Sequence, residues 1–290
     1  MSVYRSLGAL LLACSCCFAA MTFVGPAVPT APHAVPAGLH ERWRPELAGV
    51  RTVDEAMRIL PDYAARERGS PQARTAAAID RFVRERFFHG GSEFTYAQNW
   101  LAYLAGALWI DLRIPVIPDD ILQHRRAICS QQAIVFMELL KRHGIAYASV
   151  LIAWPSDPAG ASGHFAVAAR VDGRWLYFDP DQEVPQPGVP IERVMDGSAL
   201  PALYGDKPRL LADMRAAAAR GQIRLAHVNA FPAPRGGLFQ LLTKWLSAYG
   251  WLLFGLAGIL MASRGGRSRP TPTVEAWRGR LRPLLSGRPG

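Results

Sequence analysis

The chain has 290 residues, is 50% hydrophobic and 19% charged, and carries a formal net charge of +10. The charge is not spread evenly: residues 264–290 hold seven arginines against Glu275, a balance of plus six, which argues against a nucleic-acid-binding surface on the body of the protein. Three of the four cysteines lie in the first seventeen residues, so no disulfide framework is implied; the seven histidines lack metal-ligand spacing, and no glycine-rich phosphate loop is present, so no cofactor is expected.

Leu7 to Val24 is uncharged and follows Arg5, the pattern of a signal anchor over residues 1–24, retained rather than cleaved. A cleavage site after Ala19 or Ala20 and lipidation at Cys14 are the lesser readings. Residues 25–45, with Pro26, Pro29, Pro32, Pro36 and Pro45, read as an extended tether. Thr52-Val53-Asp54-Glu55 is a capping box for a helix that should stop near Pro61. Ser70-Pro71 opens a second helix, ending by Gly90-Gly91, with Ile79, Phe82, Val83 and Phe87 on one apolar face.

Phe94 to Ile110 is apolar enough to suggest a third span, but Gln98, Asn99 and its small-residue turns favour a core helix beneath the functional site. Ser130 to His143 has helical spacing, with Cys129 at its first turn, where the dipole and free N–H groups favour a thiolate. Ala146 to Trp154 is a predicted strand, and Pro155 to Gly163 a loop bordering the cleft. His164–Val171 and Arg174–Asp179 read as a hairpin closed by an Asp172-Gly173 type I′ turn. Val171 then faces Arg174, His164 falls opposite Asp181, and Asp179 lies one diagonal step away on the same face. From Pro185 to about Leu225 the chain alternates Pro-rich loop with one Ala-rich helix, Asp213 to Arg220.

Leu246 to Ser263 is a second uncharged stretch, long enough to span a bilayer, with Trp245, Tyr249 and Trp251 at its start as an interfacial belt. Arg5 and the Arg-rich tail place both termini in the cytoplasm by the positive-inside pattern. Residues 25 to about 240 would then face the periplasm or cell exterior from a bacterial inner membrane. The expected organisation is an anchor at 1–24, a tether at 25–45, one domain at 46–237, a flanked transmembrane helix at 238–263 and a cytoplasmic tail at 264–290.

Cys129, His164 and Asp179 thus form a candidate Cys-His-Asp site, the only thiol of the body followed by a base and a carboxylate able to orient it. From about Ala76 to Asp181 the chain resembles the transglutaminase-like superfamily, a papain-like thiol fold. The resemblance rests on Ala78-Ile79-Asp80-Arg81-Phe82-Val83 and on Ile121-Leu122 through Arg126-Ala127-Ile128-Cys129-Ser130-Gln131-Gln132-Ala133. It continues through Glu138 to Ile145, Gly163-His164, and Asp172-Gly173-Arg174-Trp175 running into Asp179-Pro180. It implies an α+β core, a nucleophile helix packed on an antiparallel sheet, here flanked by two transmembrane helices. It also implies Cys129 as nucleophile, His164 as general base and acid, and Asp179 as the orienting group.

Two positions depart from the family pattern: Ala127 stands where Gly is usual, and Ala166 where an aromatic is frequent. Gln98, Asn99 and Gln123 read as polar residues satisfying local backbone rather than as oxyanion donors. The expected activity is acyl transfer on a peptide or protein of the cell envelope, with hydrolysis of a peptide or isopeptide first and a crosslinking transglutaminase second. A noncatalytic adaptor docking partner membrane proteins is the rival from another class. Arylamine acyl transfer is disfavoured by the two spans and by the Trp-containing strand before Asp179.

Overall fold

The computed structural model describes residues 3–24, 35–36, 41–154 and 163–266. Most of the predicted tether, the 155–162 part of the predicted cleft loop and the tail from residue 267 lie outside the described residues. The chain divides into two compact units, one of Met1–Val28 with Trp245–Gly290, the other of Pro29–Lys244.

In chain order the helices and strands begin with α1 (Val3–Val24), α2 (Val53–Ala64), α3 (Pro71–Arg86), β1 (Phe88–His89), α4 (Trp100–Ala105), α5 (Pro118–Ile121) and β2 (Arg126–Ala127). They continue with α6 (Cys129–Arg142), β3 (Tyr147–Ala153), β4 (Gly163–Val171), β5 (Arg174–Phe178), β6 (Val189–Pro190) and α7 (Ile191–Met195). The last are α8 (Leu200–Tyr204), α9 (Pro208–Ala219), β7 (Ile223–Ala226) and α10 (Pro234–Gly266).

The larger unit is built on an antiparallel sheet in the order β6-β5-β4-β3-β7. The Asp172-Gly173 turn takes the positive φ values, 50° and 81°, that a type I′ turn requires, and Val171 faces Arg174 as the turn dictates. One sheet face, with Val167, Ala169, Val171 and Phe178, packs against Phe136 and Leu140 of α6 and the apolar faces of α2 and α3. The other face, with Val150, Ile152, Ala166, Ala168 and Tyr177, is covered by Val194 of α7, Leu203 and Tyr204 of α8, and Met214 and Ala217 of α9.

β4 is therefore buried on both sides through its middle, which its run of Phe165 to Val171 without a charge except Arg170 allows. The mixed helix and sheet architecture is the α+β class expected.

Several local expectations are corrected. α2 has its capping box at Thr52 and Glu55, but runs through Pro61 to Ala64. α3 ends at Arg86, because Phe87 turns extended (φ −122°, ψ 145°) to lead into β1. The segment from Phe94 to Ile110 is a core helix only in part: α4 has six residues, with Trp100 and Ala102 buried, and Leu108, Trp109 and Ile110 beyond it are exposed. The Pro185–Leu225 stretch contains β6, three helices and the start of β7 rather than one helix, with α9 starting five residues before Asp213 and Pro208 at its first position.

In the smaller unit α1 and the second part of α10 pack together. Ser15 Oγ donates to the Trp251 carbonyl at 2.6 Å and Thr22 Oγ1 to the Ser247 carbonyl at 2.7 Å, while the Phe18 and Phe254 rings meet at 4.9 Å. A Cβ on Gly8 would stand 2.8 Å from the Ala262 nitrogen, so this approach needs glycine, as small-residue contacts between apolar helices do. Helices of 22 and 33 residues, each with a long apolar run, could span a membrane of about 30 Å.

Candidate active site

The first turn of α6 presents Cys129. Ile128 is extended (φ −79°, ψ 169°) and the chain turns helical at Cys129, so the first N–H groups of α6 have no intrahelical acceptor. Two glutamines hold this turn in place. Gln131 Oε1 accepts from the Ile128 N–H at 3.2 Å, and its Nε2 donates to the Pro115 carbonyl at 3.1 Å. Gln132 Nε2 donates to the Ala127 carbonyl at 3.0 Å and to Asp181 Oδ1 at 3.1 Å. Ala127, one of the two departures from the resemblance, is fully buried in the α6 core.

His164 is near the start of β4, where it pairs with Ile152 of β3. The β4–β5 ladder ends at Val167 and Phe178, so Asp181 does not come opposite His164; the chain bends away after β5. Asp179, one residue past β5, nevertheless reaches the imidazole as the diagonal register predicts: His164 Nε2 lies 2.7 Å from Asp179 Oδ2. Ala166, the other departure, faces the α7–α9 side of the sheet in the same row as His164.

Asp179 is completely buried, and its charge is met by donors from three elements. Tyr204 of α8 donates its hydroxyl to Oδ2 at 2.6 Å, Tyr177 of β5 at 3.2 Å, and the Gln182 N–H donates to Oδ1 at 3.3 Å. Burial alone would raise the Asp179 pKa, but the His164 charge, its hydrogen bond and the Tyr204 hydroxyl together bring it below 3.8. For His164, burial lowers the pKa and is the largest single effect. The Asp179 charge and hydrogen bond, joined by Cys129, outweigh it and hold His164 well above 6.5. Tyr177 and Tyr204 are pushed well above 10, first by burial and then by the Asp179 charge.

Nε2 is taken by Asp179, which leaves Nδ1 as the ring nitrogen available to Cys129 on the same cleft. The Trp154 ring lies nearly parallel to the imidazole, 14° off with centroids 6.4 Å apart. Cys129 and His164 open on a cleft of about 530 Å³ whose far wall is Gly221, Gln222 and Arg224 beside β7. The three residues singled out from sequence are thus brought to one place.

Asp181 has a different partner: its Oδ1 lies 2.7 Å from His89 Nδ1 of β1, and Gln182 Nε2 donates to its Oδ2 at 2.7 Å. The hydrogen bond to the Asp181 carboxylate raises the His89 pKa above 6.5 against the opposing effect of burial. Asp181 therefore links β1, the first turn of α6 and the loop carrying Asp179. Gln98, Asn99 and Gln123 bind elsewhere: Gln98 Oε1 caps the Thr95 N–H, Asn99 Oδ1 caps the Ala102 N–H, and Gln123 Nε2 donates to the Arg51 carbonyl. Backbone satisfaction was the expectation for all three.

Gln131, Gln132, Tyr177, Tyr204 and the His89–Asp181 pair received no role from sequence. A glutamine at the third helical position is a capping signal that could have marked Gln131. Nothing local marks Tyr204, which comes from 25 residues beyond its partner.

Residues 64–198 match the family model of a transglutaminase-like domain. This stretch is similar to a transglutaminase-like domain. It contains α3, α6, the β3–β5 meander, Cys129, His164 and Asp179, but ends before α8 supplies Tyr204 and before β7 closes the cleft. No curated protein and no solved structure matches the chain.

Proposed function

We propose that the chain is a membrane-anchored cysteine acyl-transfer enzyme of the bacterial inner membrane, with the transglutaminase-like domain facing outward and both termini in the cytoplasm. Its first-choice reaction is hydrolysis of a peptide or amide in a cell-envelope substrate. The observation that carries this reading is the 2.7 Å His164–Asp179 pair, buried and with further donors on Asp179, on one cleft with the thiol at the start of α6.

In this reading Cys129 Sγ attacks the carbonyl carbon and His164 takes the thiol proton on Nδ1. Asp179 holds the imidazolium through Nε2, and the N–H groups of the α6 first turn face the developing oxyanion. His164 returns the proton to the leaving amine as the C–N bond breaks, leaving a thioester. Water, deprotonated by the same imidazole, then releases the acid and regenerates the thiol. An amine in place of water would make the product a crosslink, which is the transglutaminase alternative.

A second reading, an adaptor that keeps the fold without turnover, draws support from Ala127 and Ala166 and from the other partners found for Gln98, Asn99 and Gln123. The test uses the full chain with Cys14, Cys16 and Cys17 changed to Ser. The enzyme reading expects iodoacetamide to label Cys129 at pH 6 at least ~10-fold faster than in the His164→Ala variant. It also expects a peptide-amide library to leave an acyl adduct on Cys129, seen by mass spectrometry and absent from Cys129→Ala. Labelling indifferent to His164, with no adduct, selects the adaptor.

A further inference from the structure

Phe94 to Ile110 contains no charged residue; Phe94, Tyr96, Trp100 and Ala102 are buried, but its last three residues are not. α4 has six residues, about 9 Å of helix against the ~30 Å of a bilayer. After it the chain holds Leu108, Trp109 and Ile110 out at 92%, 63% and 50% exposure. Three consecutive large apolar residues so displayed are unusual on a surface that meets only water.

The tip is not slack. Arg113 stacks over the Tyr103 ring at 4.1 Å, donates to the Tyr103 carbonyl at 3.2 Å through both Nε and Nη2, and pairs with Glu93 at 3.0 Å. A Cβ at Gly106 would come 2.7 Å from Arg113 Cβ, so the loop closes tightly on this clamp.

Both ends of the tip are tied to the first part of α10. Asn99 Nδ2 donates to Thr243 Oγ1 at 2.9 Å, Gln240 Nε2 to the Ile114 carbonyl at 2.6 Å, and the Val116 N–H to Gln240 Oε1 at 2.9 Å. In that same part of α10, Leu238, Leu241 and Leu242 are 54–59% exposed. The apolar stretch Leu246–Ser263 begins four residues after Leu242 in the chain.

We propose that the Leu108-Trp109-Ile110 tip, with Leu238, Leu241 and Leu242, is a lipid-binding surface that sits in the headgroup–acyl boundary of the bilayer. The occupant is lipid rather than protein because Leu238, Leu241 and Leu242 immediately precede the candidate span in the chain, and because Trp and Leu without charge are what the interfacial layer accepts. The proposal rests on α10 crossing the membrane. Its consequence is a domain held against the bilayer at a second point besides its anchors, with a set orientation of the Cys129 cleft.

The test is spin-label depth measurement on the full chain in vesicles of phosphatidylcholine and phosphatidylglycerol, with Cys14, Cys16, Cys17 and Cys129 changed to Ser. Single labels are placed at Leu108→Cys, at Leu253→Cys in the candidate span and at Arg74→Cys on α3 as a water reference. The expected result is an oxygen-to-nickel-chelate accessibility ratio at 108 several-fold above that at 74 and approaching that at 253. A ratio at 108 equal to that at 74, with 253 lipid-exposed, overturns the inference and leaves α10 as a span. Spin–spin broadening at 108 without oxygen preference overturns it in favour of a second copy. A water-like ratio at 253 removes the spanning helix and the inference together.

Discussion

Replacing Tyr204 by Phe removes a single oxygen from the network around Asp179 while keeping the ring in the core beneath the sheet. Two bonds go: the 2.6 Å donation to Asp179 Oδ2 and the 2.7 Å contact with the Tyr177 hydroxyl. A bond to a buried charge is worth about 1.5–3 kcal/mol net. Asp179 Oδ2 keeps His164 and Tyr177, so no orphaned acceptor adds to the cost. The expected loss is therefore about 2 kcal/mol, which in a domain of this size lowers Tm by about 4–8 °C.

The assay is thermal unfolding of the detergent-solubilised chain, followed by near-ultraviolet circular dichroism. Tyr177→Phe and the double variant complete a cycle. Because both hydroxyls serve one carboxylate oxygen, the two effects should differ from additivity by at least ~0.5 kcal/mol. A Tm change below about 1 °C for Tyr204→Phe, or strict additivity, would refute the idea that α8 completes the charge network of the site.

The His164–Asp179 pair sets a pH window: His164, raised above 6.5, contributes fully below that value and is lost as pH climbs through its folded pKa, whereas Asp179, lowered below 3.8, loses its contribution as pH falls. The stability deficit of His164→Ala, read from urea midpoints, should be largest between about pH 4 and 6.5 and shrink on the alkaline side; a deficit that grows there contradicts the assignment. Arg84→Met leaves Asp80, which Arg84 Nη2 meets at 3.1 Å, buried and unpaired; a loss of about 3–5 kcal/mol in urea unfolding is expected, mostly recovered when Asp80→Leu is added. A Cβ at Gly163 would overlap the Ile152 carbonyl oxygen across the β3–β4 ladder, so Gly163→Ala should cost about 1–3 kcal/mol and slow Cys129 labelling by displacing His164; unchanged labelling would count against that coupling.

Hydrophobic period and turn chemistry are local properties, and what depends on them was legible in the sequence. The Asp172-Gly173 turn alone dictated the β4–β5 register, and that register put Asp179 within reach of His164. The Thr52 cap, the start of α6 at Cys129 and the two long apolar helices were readable for the same reason. The Leu108–Ile110 end of the Phe94–Ile110 segment was misjudged because composition reports that a segment is apolar without reporting what covers it; beyond the clamp of Arg113 on Tyr103 the chain is exposed.

Which groups surround a buried charge was decided only by tertiary structure. Extending the hairpin register put Asp181 opposite His164, but the chain leaves the sheet after Phe178 and delivers Asp181 to His89 and Gln132. Tyr204 reaches Asp179 from a five-residue helix with no pattern of its own. A carboxylate removed from water must collect its donors from wherever the packed chain brings them, and no spacing within one strand or helix records that meeting.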